Sequence, residues 1–345
     1  MRISLAQVPI IGKAPGLGPG LGTARVTGRG PSLMSSRPPG TLSAPSRFGH
    51  DGHMRFRSWI SGLAALALSL GAFGSVANAG TVTTIRAASP CAAPGTPHYS
   101  HVVWIMLENT GYSVIGSRQA PYLNRLASAC GLATKDYAVS HPSLPNYVAL
   151  TSGSTQGITD DGDPSAHPLS APSIFSQLGS DWRVLAESMP RSCDHVTSGD
   201  YAARHNPAVY FPALNSICQH NDVPLKLPLD LSARFTFIVP NICNDMHSCP
   251  VSAGDAWLSR MIPKIITSSQ YQSRSLVLFV TFDESDTQPS NRVPTIVIAP
   301  SVPRGTRVGV YFTHYSLLRT TESLLHVGFL GAARTASSMV GPFHL

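Results

Sequence analysis

Four short apolar runs constrain the fold most, because each has the length of one strand and is apolar at nearly every position. They are HVVWIML (101–107), FTFIVP (235–240), SLVLFVTF (275–282) and TIVIAP (295–300). Runs of this kind are typical of strands buried on both faces of a parallel sheet. Helical patterns lie among them, at residues 121–130, 173–178, 255–266 and 314–325. The alternation predicts an α/β protein with a doubly wound, mostly parallel sheet and helices on both faces. Residues 160–230, rich in proline, are expected to form an insertion over the sheet edge that supplies substrate contacts.

The first 79 residues differ in composition from the rest. Residues 1–53 are rich in Gly, Pro, Ser and Arg without an apolar period, which is typical of a disordered segment that cannot bury a core. From Met54 a basic start, an apolar run and the small-residue signature Ala77-Asn78-Ala79 follow. We predict an upstream extension over 1–53, a Sec-type signal peptide over 54–79 and one secreted catalytic domain over 80–345. A long twin-arginine-type leader is the alternative, although no Arg pair precedes the apolar run.

The basic character of the chain belongs to this leader. The whole chain has 25 Lys and Arg against 18 Asp and Glu. The leader holds eight of the former and one of the latter (Asp51), which leaves 17 of each in residues 80–345. We therefore expect no basic face for nucleic acid, and no stable membrane insertion once the signal is cleaved.

All six cysteines follow the expected cleavage site. An even number in an exported chain indicates disulfides, here three. Chain proximity favours the pairs Cys193–Cys218 and Cys243–Cys249, which leaves Cys91 with Cys130, although the sequence allows fifteen pairings. A zinc site is disfavoured because no Cys-x-x-Cys pair is present.

A constrained serine lies in the stretch SHPSLPNYVALTSGSTQGITDD (140–161). Pro142 and Pro145 fix their own φ and push the residues before them toward extended geometry, so Ser143 is held between two stiff positions. A helix is expected from Pro145, with Gly153 as a left-handed stop. Ser143 then lies at a helix start, where backbone amides favour an anion such as a phosphate ester. The alternative is that Ser143 only caps that helix.

Three of the four apolar runs lead directly into acidic or amide residues. These are Glu108-Asn109 after the first run, Asn241 with Asp245 and His247 after the second, and Asp283-Glu284 after the third. Ligands bind at the carboxyl ends of strands in open α/β sheets, so we expect the three sets to converge. Carboxylate and amide oxygens suit a divalent cation, which would activate a neighbouring hydroxyl and neutralise phosphoryl charge. A solvated turn is the alternative for any single pair.

The segment HPSLPNYVALTSGSTQGITDD resembles the nucleophile segment of the bacterial phosphoesterase family, which contains secreted acid phosphatases and phospholipases C and belongs to the alkaline phosphatase superfamily. The resemblance extends from about Val102 to Glu322. It implies an alkaline-phosphatase-like fold in one domain. It also implies that Ser143 takes the phosphoryl group and that Asn146 donates a hydrogen bond to a phosphoryl oxygen.

The same resemblance implies a metal site and substrate-binding residues. The set that resembles one complete metal site is Glu108, Asn109, Asp283 and Glu284 with Ser143. Asp245 and His247 resemble the motif that supplies the other half of the cleft, and Asn241 and His314 are implied to bind substrate. Phosphodiesterase relatives carry Asp-His where this chain has Asp283-Glu284. That departure favours one divalent ion, of unknown identity, over two zinc ions.

Two histidines are candidates for protonating the leaving oxygen, because imidazole titrates near neutrality. His205 lies in ARHNPAVYF, which resembles a family motif, and His141 precedes Pro142. A structural hydrogen bond is the alternative role for each.

These observations favour a secreted, metal-dependent phosphoesterase that works through a phosphoserine intermediate. An acid-phosphatase-like phosphomonoesterase acting on a small phosphate ester comes first. A phospholipase C-type phosphodiesterase acting on a phospholipid head group is the alternative within that class. An exported binding protein that kept the fold and lost catalysis is the alternative from another class.

Overall fold

The computed structural model describes residues 89–93, 95–286 and 290–345. They belong to one of two compact units of the chain, Gly80–Leu345. The predicted upstream extension and signal peptide, residues 1–79, lie outside the described residues. In the part of the chain that the structure describes, no helix is long and apolar enough to cross a membrane.

A nine-stranded sheet forms the centre of this unit. Its strands are β1 (His101–Leu107), β2 (Gly131–Tyr137), β3 (Trp182–Ala186), β4 (Asp222–Pro224), β5 (Phe235–Val239), β6 (Leu276–Phe282), β7 (Arg292–Ile298), β8 (Arg307–Val308) and β9 (Phe312–Thr313). The order across the sheet is β4-β3-β5-β1-β6-β7-β2-β8, and β9 also pairs with β2. β1 lies at the middle, where Val102 pairs with Phe235 of β5 and with Val277 of β6. The sheet is mostly parallel, as the apolar runs predicted.

The run 295–300 was predicted as a parallel strand, and this prediction is wrong. β7, which contains most of it, runs antiparallel to both β6 and β2. The connection from β6 to β7 spans only residues 283–291. A parallel neighbour needs a crossover of about a dozen residues or more, so this short loop can only turn the chain back.

Residues 160–230 also differ from the prediction. They form β3 and β4, which make up one edge of the sheet rather than an insertion over it. β3, with the sequence WRVLA, has an arginine in its interior, and β4 is only three residues long. Neither shows the continuous apolar run by which the buried central strands were found.

The helices are α1 (Pro121–Ala129), α2 (Ser143–Ser152), α3 (Ile174–Gln177), α4 (Asn215–Asn221), α5 (Val251–Ile266), α6 (Ser269–Gln272) and α7 (His314–Leu324). All four predicted helical patterns are found, and α1 packs against α5 while α2 packs against α7. α2 ends at Gly153, whose φ of 76° confirms the predicted left-handed stop. A side chain there would also meet a neighbour, because a Cβ on Gly153 would lie 2.4 Å from the carbonyl oxygen of Leu330.

Three disulfides join the described cysteines. They are Cys91–Cys130, Cys193–Cys218 and Cys243–Cys249, the pairing that chain proximity favoured. Cys91–Cys130 ties the start of the described chain to the beginning of β2. Each closed loop contributes about 2–4 kcal/mol by limiting the unfolded chain.

Candidate active site

The loops that follow β1, β5 and β6 meet at the carboxyl edge of the sheet. The amide of Asp283 donates to the carbonyl of Leu107 at 2.9 Å, and the amide of Asn109 donates to Asp283 Oδ1 at 3.0 Å. The amide of Glu108 donates to the carbonyl of Asp245 at 2.8 Å. These backbone contacts bring the three predicted acidic sets together, so the expected convergence is confirmed.

Ser143 is the first residue of α2 and is buried against this acidic edge. Its Oγ donates to Glu108 Oε2 at 2.9 Å. The N-cap of α2 is Pro142, and no side chain at the cap accepts from the first turn. The cap is supplied from elsewhere, because Asp161 Oδ1 accepts from the amide of Leu144 at 2.9 Å. The alternative that Ser143 serves as the helix cap is therefore not supported.

A group of oxygens next to Ser143 has the character of a cation site. The side-chain amide of Asn109 faces Glu284 Oε1 at 3.1 Å and Glu108 Oε2 at 3.3 Å. With its nitrogen toward them, this amide donates to both carboxylates; with its oxygen toward them, it adds a third oxygen donor. Carboxylate and amide oxygens are the ligand types that a divalent ion binds. Asp283 Oδ2, buried beside them, has no hydrogen-bond partner.

Crowding and burial make the ionised form of the acidic residues in this group less favourable. Burial raises the pKa of Glu108 well above its usual value, and the charges of Asp283 and Asp245 raise it further. Burial, then the charge of Glu284, likewise raises the pKa of Asp283 well above the ordinary range. Burial raises the pKa of Glu284 to about 7. A divalent cation would offset this crowding, and the hard oxygen donors fit one.

Tyr147 holds the other oxygen of Glu108. Its hydroxyl donates to Glu108 Oε1 at 2.5 Å, and its ring stacks on His205 with centroids 5.3 Å apart and planes 5° from parallel. No role for Tyr147 was predicted from the sequence. The signal was the four-residue spacing from Ser143, which places both side chains on one face of α2.

His205 lies between Glu108 and Asp245 in the interior. Its Nδ1 is 3.1 Å from Asp245 Oδ2, and its Nε2 is 3.4 Å from Glu108 Oε1 without making a hydrogen bond. Burial lowers the pKa of His205 well below its usual value, which favours the neutral ring near pH 7. Burial raises the pKa of Asp245 to about 7. The possible ligand atoms of Glu108, His205 and Asp245 lie within 4.8 Å of one another, which makes them a second group that could hold a metal ion.

His247, predicted as a metal ligand, is exposed and lies outside that group. Its Nε2 is 3.1 Å from a terminal nitrogen of Arg204. Arg204 also approaches Asp161, with 3.9 Å between its Nε and Asp161 Oδ2. The sequence interpretation named neither Arg204 nor Asp161, because a single arginine or aspartate in a loop is an ordinary surface feature.

Asn146 occupies a different place from the one predicted. It is fully buried, and its amide nitrogen donates to the carbonyls of Ser140 and Pro142 at 3.0 and 3.1 Å. Its amide oxygen accepts from the amides of Val139 and Ser140. Both amide hydrogens are used within the loop, so Asn146 shapes the approach to Ser143 and has no hydrogen left for a phosphoryl oxygen.

The two residues predicted to bind substrate also make internal contacts. Asn241 Oδ1 accepts from the amides of Cys243 and Asn244, and its Nδ2 donates to Ser188, so this side chain organises a turn. His314 is buried at the first turn of α7, with its Nε2 2.6 Å from the carbonyl of Asp283. Burial lowers the pKa of His314 to about 4. His314 therefore supports the acidic loop from behind.

His141 stays at the mouth of the site. Its side chain is 49% exposed, and its Nδ1 contacts Glu284 Oε2. It is far more accessible than His205, which is 1% exposed. The two histidines predicted to transfer protons thus lie on opposite sides of the acidic group, one at the surface and one in the interior.

The structure is a doubly wound α/β sheet whose carboxyl edge carries a buried serine beside a group of acidic residues. The chain belongs to the Phosphoesterase family, whose model matches residues 111–328. It is accordingly a hydrolase acting on phosphoric ester bonds, as the resemblance in the sequence indicated.

Named relatives in other organisms are phosphatases. The chain is 32% identical to a phosphatidylinositol-3-phosphatase of Mycobacterium tuberculosis over 261 residues, which cover 71% of this chain and 83% of that protein. It is 29% identical to a phosphate-repressible acid phosphatase of Penicillium chrysogenum over 272 residues, which cover 70% of this chain and 65% of the fungal protein.

A solved structure shares the fold at low sequence identity. A Bacteroides thetaiotaomicron protein from a locus for glycosaminoglycan metabolism superposes with a TM-score of 0.51 at 12% identity, over 72% of this chain and 82% of that one. A protein of the alkaline phosphatase superfamily from Vibrio parahaemolyticus has a TM-score of 0.48 at 13% identity, over 69% of each chain.

Proposed function

We propose that this protein is an exported, metal-dependent phosphomonoesterase that works through a phosphoserine at Ser143. One observation carries the proposal: the only hydroxyl at the start of α2 is buried and donates to Glu108 within a group of closely spaced oxygens. The names of the relatives, an acid phosphatase and a phosphatidylinositol-3-phosphatase, support monoesters as substrates. A small phosphate ester, or a phospholipid whose head group carries a phosphate monoester, fits that class.

The proposed cation site consists of Glu108, Asn109, Asp283 and Glu284, with Ser143 beside it. A divalent ion bound there would neutralise phosphoryl charge and lower the pKa of the serine hydroxyl. His314 and Tyr147 act behind this group, since one holds the backbone of Asp283 and the other holds Glu108. Such supporting contacts orient metal ligands and keep their geometry fixed.

The proposed reaction steps follow from the hydrogen bonds of Ser143 and His205. The hydroxyl of Ser143 loses its proton toward Glu108 as its oxygen forms a bond to phosphorus, and the bond from phosphorus to the leaving oxygen breaks. His205 is placed to give that oxygen a proton from Nε2 in the tautomer whose Nδ1 accepts from Asp245, because burial raises the pKa of Asp245 to about 7 and lets that carboxyl pass its own proton to Nδ1. Water then attacks the phosphoserine and gives one proton back to His205 and Asp245, while Glu108 returns its proton to Ser143 Oγ as the bond from phosphorus to that oxygen breaks and phosphate leaves.

Export is proposed from two independent features. Three disulfides close loops within the described residues. Disulfides persist in oxidising compartments, which lie outside the cytoplasm. The proposed signal peptide at residues 54–79 would supply the route.

A substrate panel with two serine variants tests the proposal. The substrates are an aryl phosphomonoester, an aryl phosphodiester and phosphatidylcholine, each with and without a chelator. We expect the wild-type protein to prefer the monoester and to lose activity with chelator. Ser143→Ala should lose nearly all turnover, whereas Ser143→Thr should keep a measurable part because the attacking oxygen is preserved.

Ser152→Ala is the matched control, because Ser152 is also buried in α2 but donates only to backbone carbonyls. It should keep wild-type turnover. A Ser143→Ala protein as active as the Ser152 control would refute the nucleophile. Preference for the diester or for phosphatidylcholine would instead refute the substrate class.

A further inference from the structure

The region around Ser143 contains a cation that the proposed mechanism does not use. Arg204 immediately precedes His205 on a short 3-10 helix, Ala203–His205. Its side chain is 22% exposed, and its Nε is buried without a hydrogen-bond partner. An unpaired donor that is shielded from water carries a desolvation cost, so the retention of this Nε calls for a partner.

A series of contacts connects Ser143 to Arg204 through Glu108 and two histidines, His205 and His247. Glu108 contacts both Ser143, at 2.9 Å, and His205, at 3.4 Å. The rings of His205 and His247 lie 5.8 Å apart, and His247 Nε2 lies 3.1 Å from Arg204. Each step is within contact or ring-stacking distance.

A second series of contacts connects Arg204 to the residue after Ser143 through Asp161. Its Oδ2 lies 3.9 Å from Arg204 Nε, and its Oδ1 accepts from the amide of Leu144, the residue after Ser143. The contacts therefore close into a ring that begins and ends at the nucleophile.

Arg204 is the one member of the ring with a permanent positive charge, because a guanidinium stays protonated at every working pH. Asp161 makes no hydrogen bond to this guanidinium, because the distance between Asp161 Oδ2 and Arg204 Nε is 3.9 Å, which is longer than a hydrogen bond. The planar fork of a guanidinium matches two oxygens of a phosphoryl group. His205, 1% exposed with Nε2 unpartnered, faces Glu108 in the same ring.

We propose that Arg204 binds the non-bridging phosphoryl oxygens of the substrate and selects phosphate monoesters over diesters. A monoester carries up to two negative charges near neutral pH, because its second pKa is about 6, whereas a diester carries one. A fixed cation therefore stabilises a bound monoester more than a bound diester. Asp161 is the positioning residue, since it caps the first turn of α2 and its carboxylate charge lies 3.9 Å from Arg204 Nε. This inference rests on the proposed function and adds the residue that sets substrate class.

The test compares Arg204→Ala and Arg204→Lys with a control, Arg183→Ala. Arg183 is a fair control because it is 24% exposed and pairs with Asp230 at 3.0 Å from the amino-terminal end of β3, away from the site. For each protein, kcat/KM is measured at pH 7 for the aryl monoester and the aryl diester. Binding of inorganic phosphate is measured directly by calorimetry.

We expect Arg204→Ala to lower kcat/KM for the monoester by about 10²–10³-fold, as for one charge-stabilising donor. The diester should lose about 10- to 100-fold less, the value of one charged hydrogen bond. Phosphate binding should weaken in parallel. Arg204→Lys should recover part of the loss, and added guanidinium ion at low concentration should partly restore Arg204→Ala where urea does not. The Arg183 control should match the wild type throughout.

Equal losses for monoester and diester, or unchanged phosphate binding, would overturn the role of Arg204. Failure of the proposed function has a different signature, because the wild-type protein would then fail to prefer the monoester. Phosphate binding would still decide the inference in that case, since it requires no turnover.

Discussion

Replacing Tyr147 by phenylalanine would remove one hydroxyl from the centre of the site and leave the ring in place. That hydroxyl donates to Glu108 Oε1 at 2.5 Å, while Glu108 Oε2 already accepts from Ser143. The ring should stay stacked on His205, because the stack needs no hydroxyl. The change therefore isolates a single hydrogen bond to a proposed metal ligand.

The expected magnitude follows from two independent scales. Losing a partner that orients a metal ligand costs about 10–100-fold in metal affinity or activity. A hydrogen bond to a charged group contributes about 1.5–3 kcal/mol, which corresponds to a similar factor at 1.4 kcal/mol for each tenfold change. We expect Tyr147→Phe to weaken divalent-ion binding, or to lower kcat/KM for an aryl monoester, by that factor.

The assay is a metal titration of chelator-treated protein, with thermal unfolding measured on the same samples. Tyr271→Phe is the control, because Tyr271 is also buried and its hydroxyl donates to the carbonyl of Pro90, outside the site. Both variants should lose some stability, but only Tyr147→Phe should lose metal affinity or activity. Unchanged metal binding and turnover in Tyr147→Phe would refute the view that this hydroxyl holds Glu108 in place.

Three further predictions concern the metal site, the helix start and the pH dependence of stability. Asp283→Ala should abolish stoichiometric divalent metal in elemental analysis with the fold retained by circular dichroism; full metal content would count against the site. Asp161→Ala should lower the free energy of unfolding by about 1 kcal/mol, because the amide of Leu144 loses its cap, and Asp161→Asn should lose less because its amide oxygen still accepts. Burial raises the pKa of Asp222 to about 7. Its folded pKa then exceeds the unfolded value, so its protonation stabilises the fold at low pH and this contribution is lost as the pH rises from about 4 to 7. Urea unfolding across that range should show wild-type stability falling relative to Asp222→Asn by up to about 1.4 kcal/mol per pH unit, and parallel curves would contradict the assignment.

The central strands and the positions of the acidic residues could be predicted from the sequence. β1, β5 and β6 are buried at every position or nearly so, and buried strands appear as continuous apolar runs. Once such strands are known to be parallel, the residues after their carboxyl ends must meet at one edge. The direction of β7 depended on the length of a connection, which the apolar pattern does not report.

The roles of individual side chains were harder to predict, because they depend on contacts distant in sequence. Asn146 looked like a phosphoryl donor from its motif, yet its hydrogen bonds all go to the loop at residues 139–142. Asp161 caps α2 from a loop seventeen residues away. Tyr147 lies among apolar residues in the sequence. Its role became apparent only from the hydrogen bond that its hydroxyl donates to Glu108.

The central claim is that Ser143 accepts the phosphoryl group, and trapping the intermediate tests it most directly. The protein would be mixed with an aryl phosphomonoester, quenched in acid within a turnover and digested for mass spectrometry. The account predicts one added phosphate on the peptide that contains Ser143, absent from Ser143→Ala and present in Ser152→Ala. Phosphate on another residue, or rapid turnover with Ser143 never modified under any quench time, would contradict it.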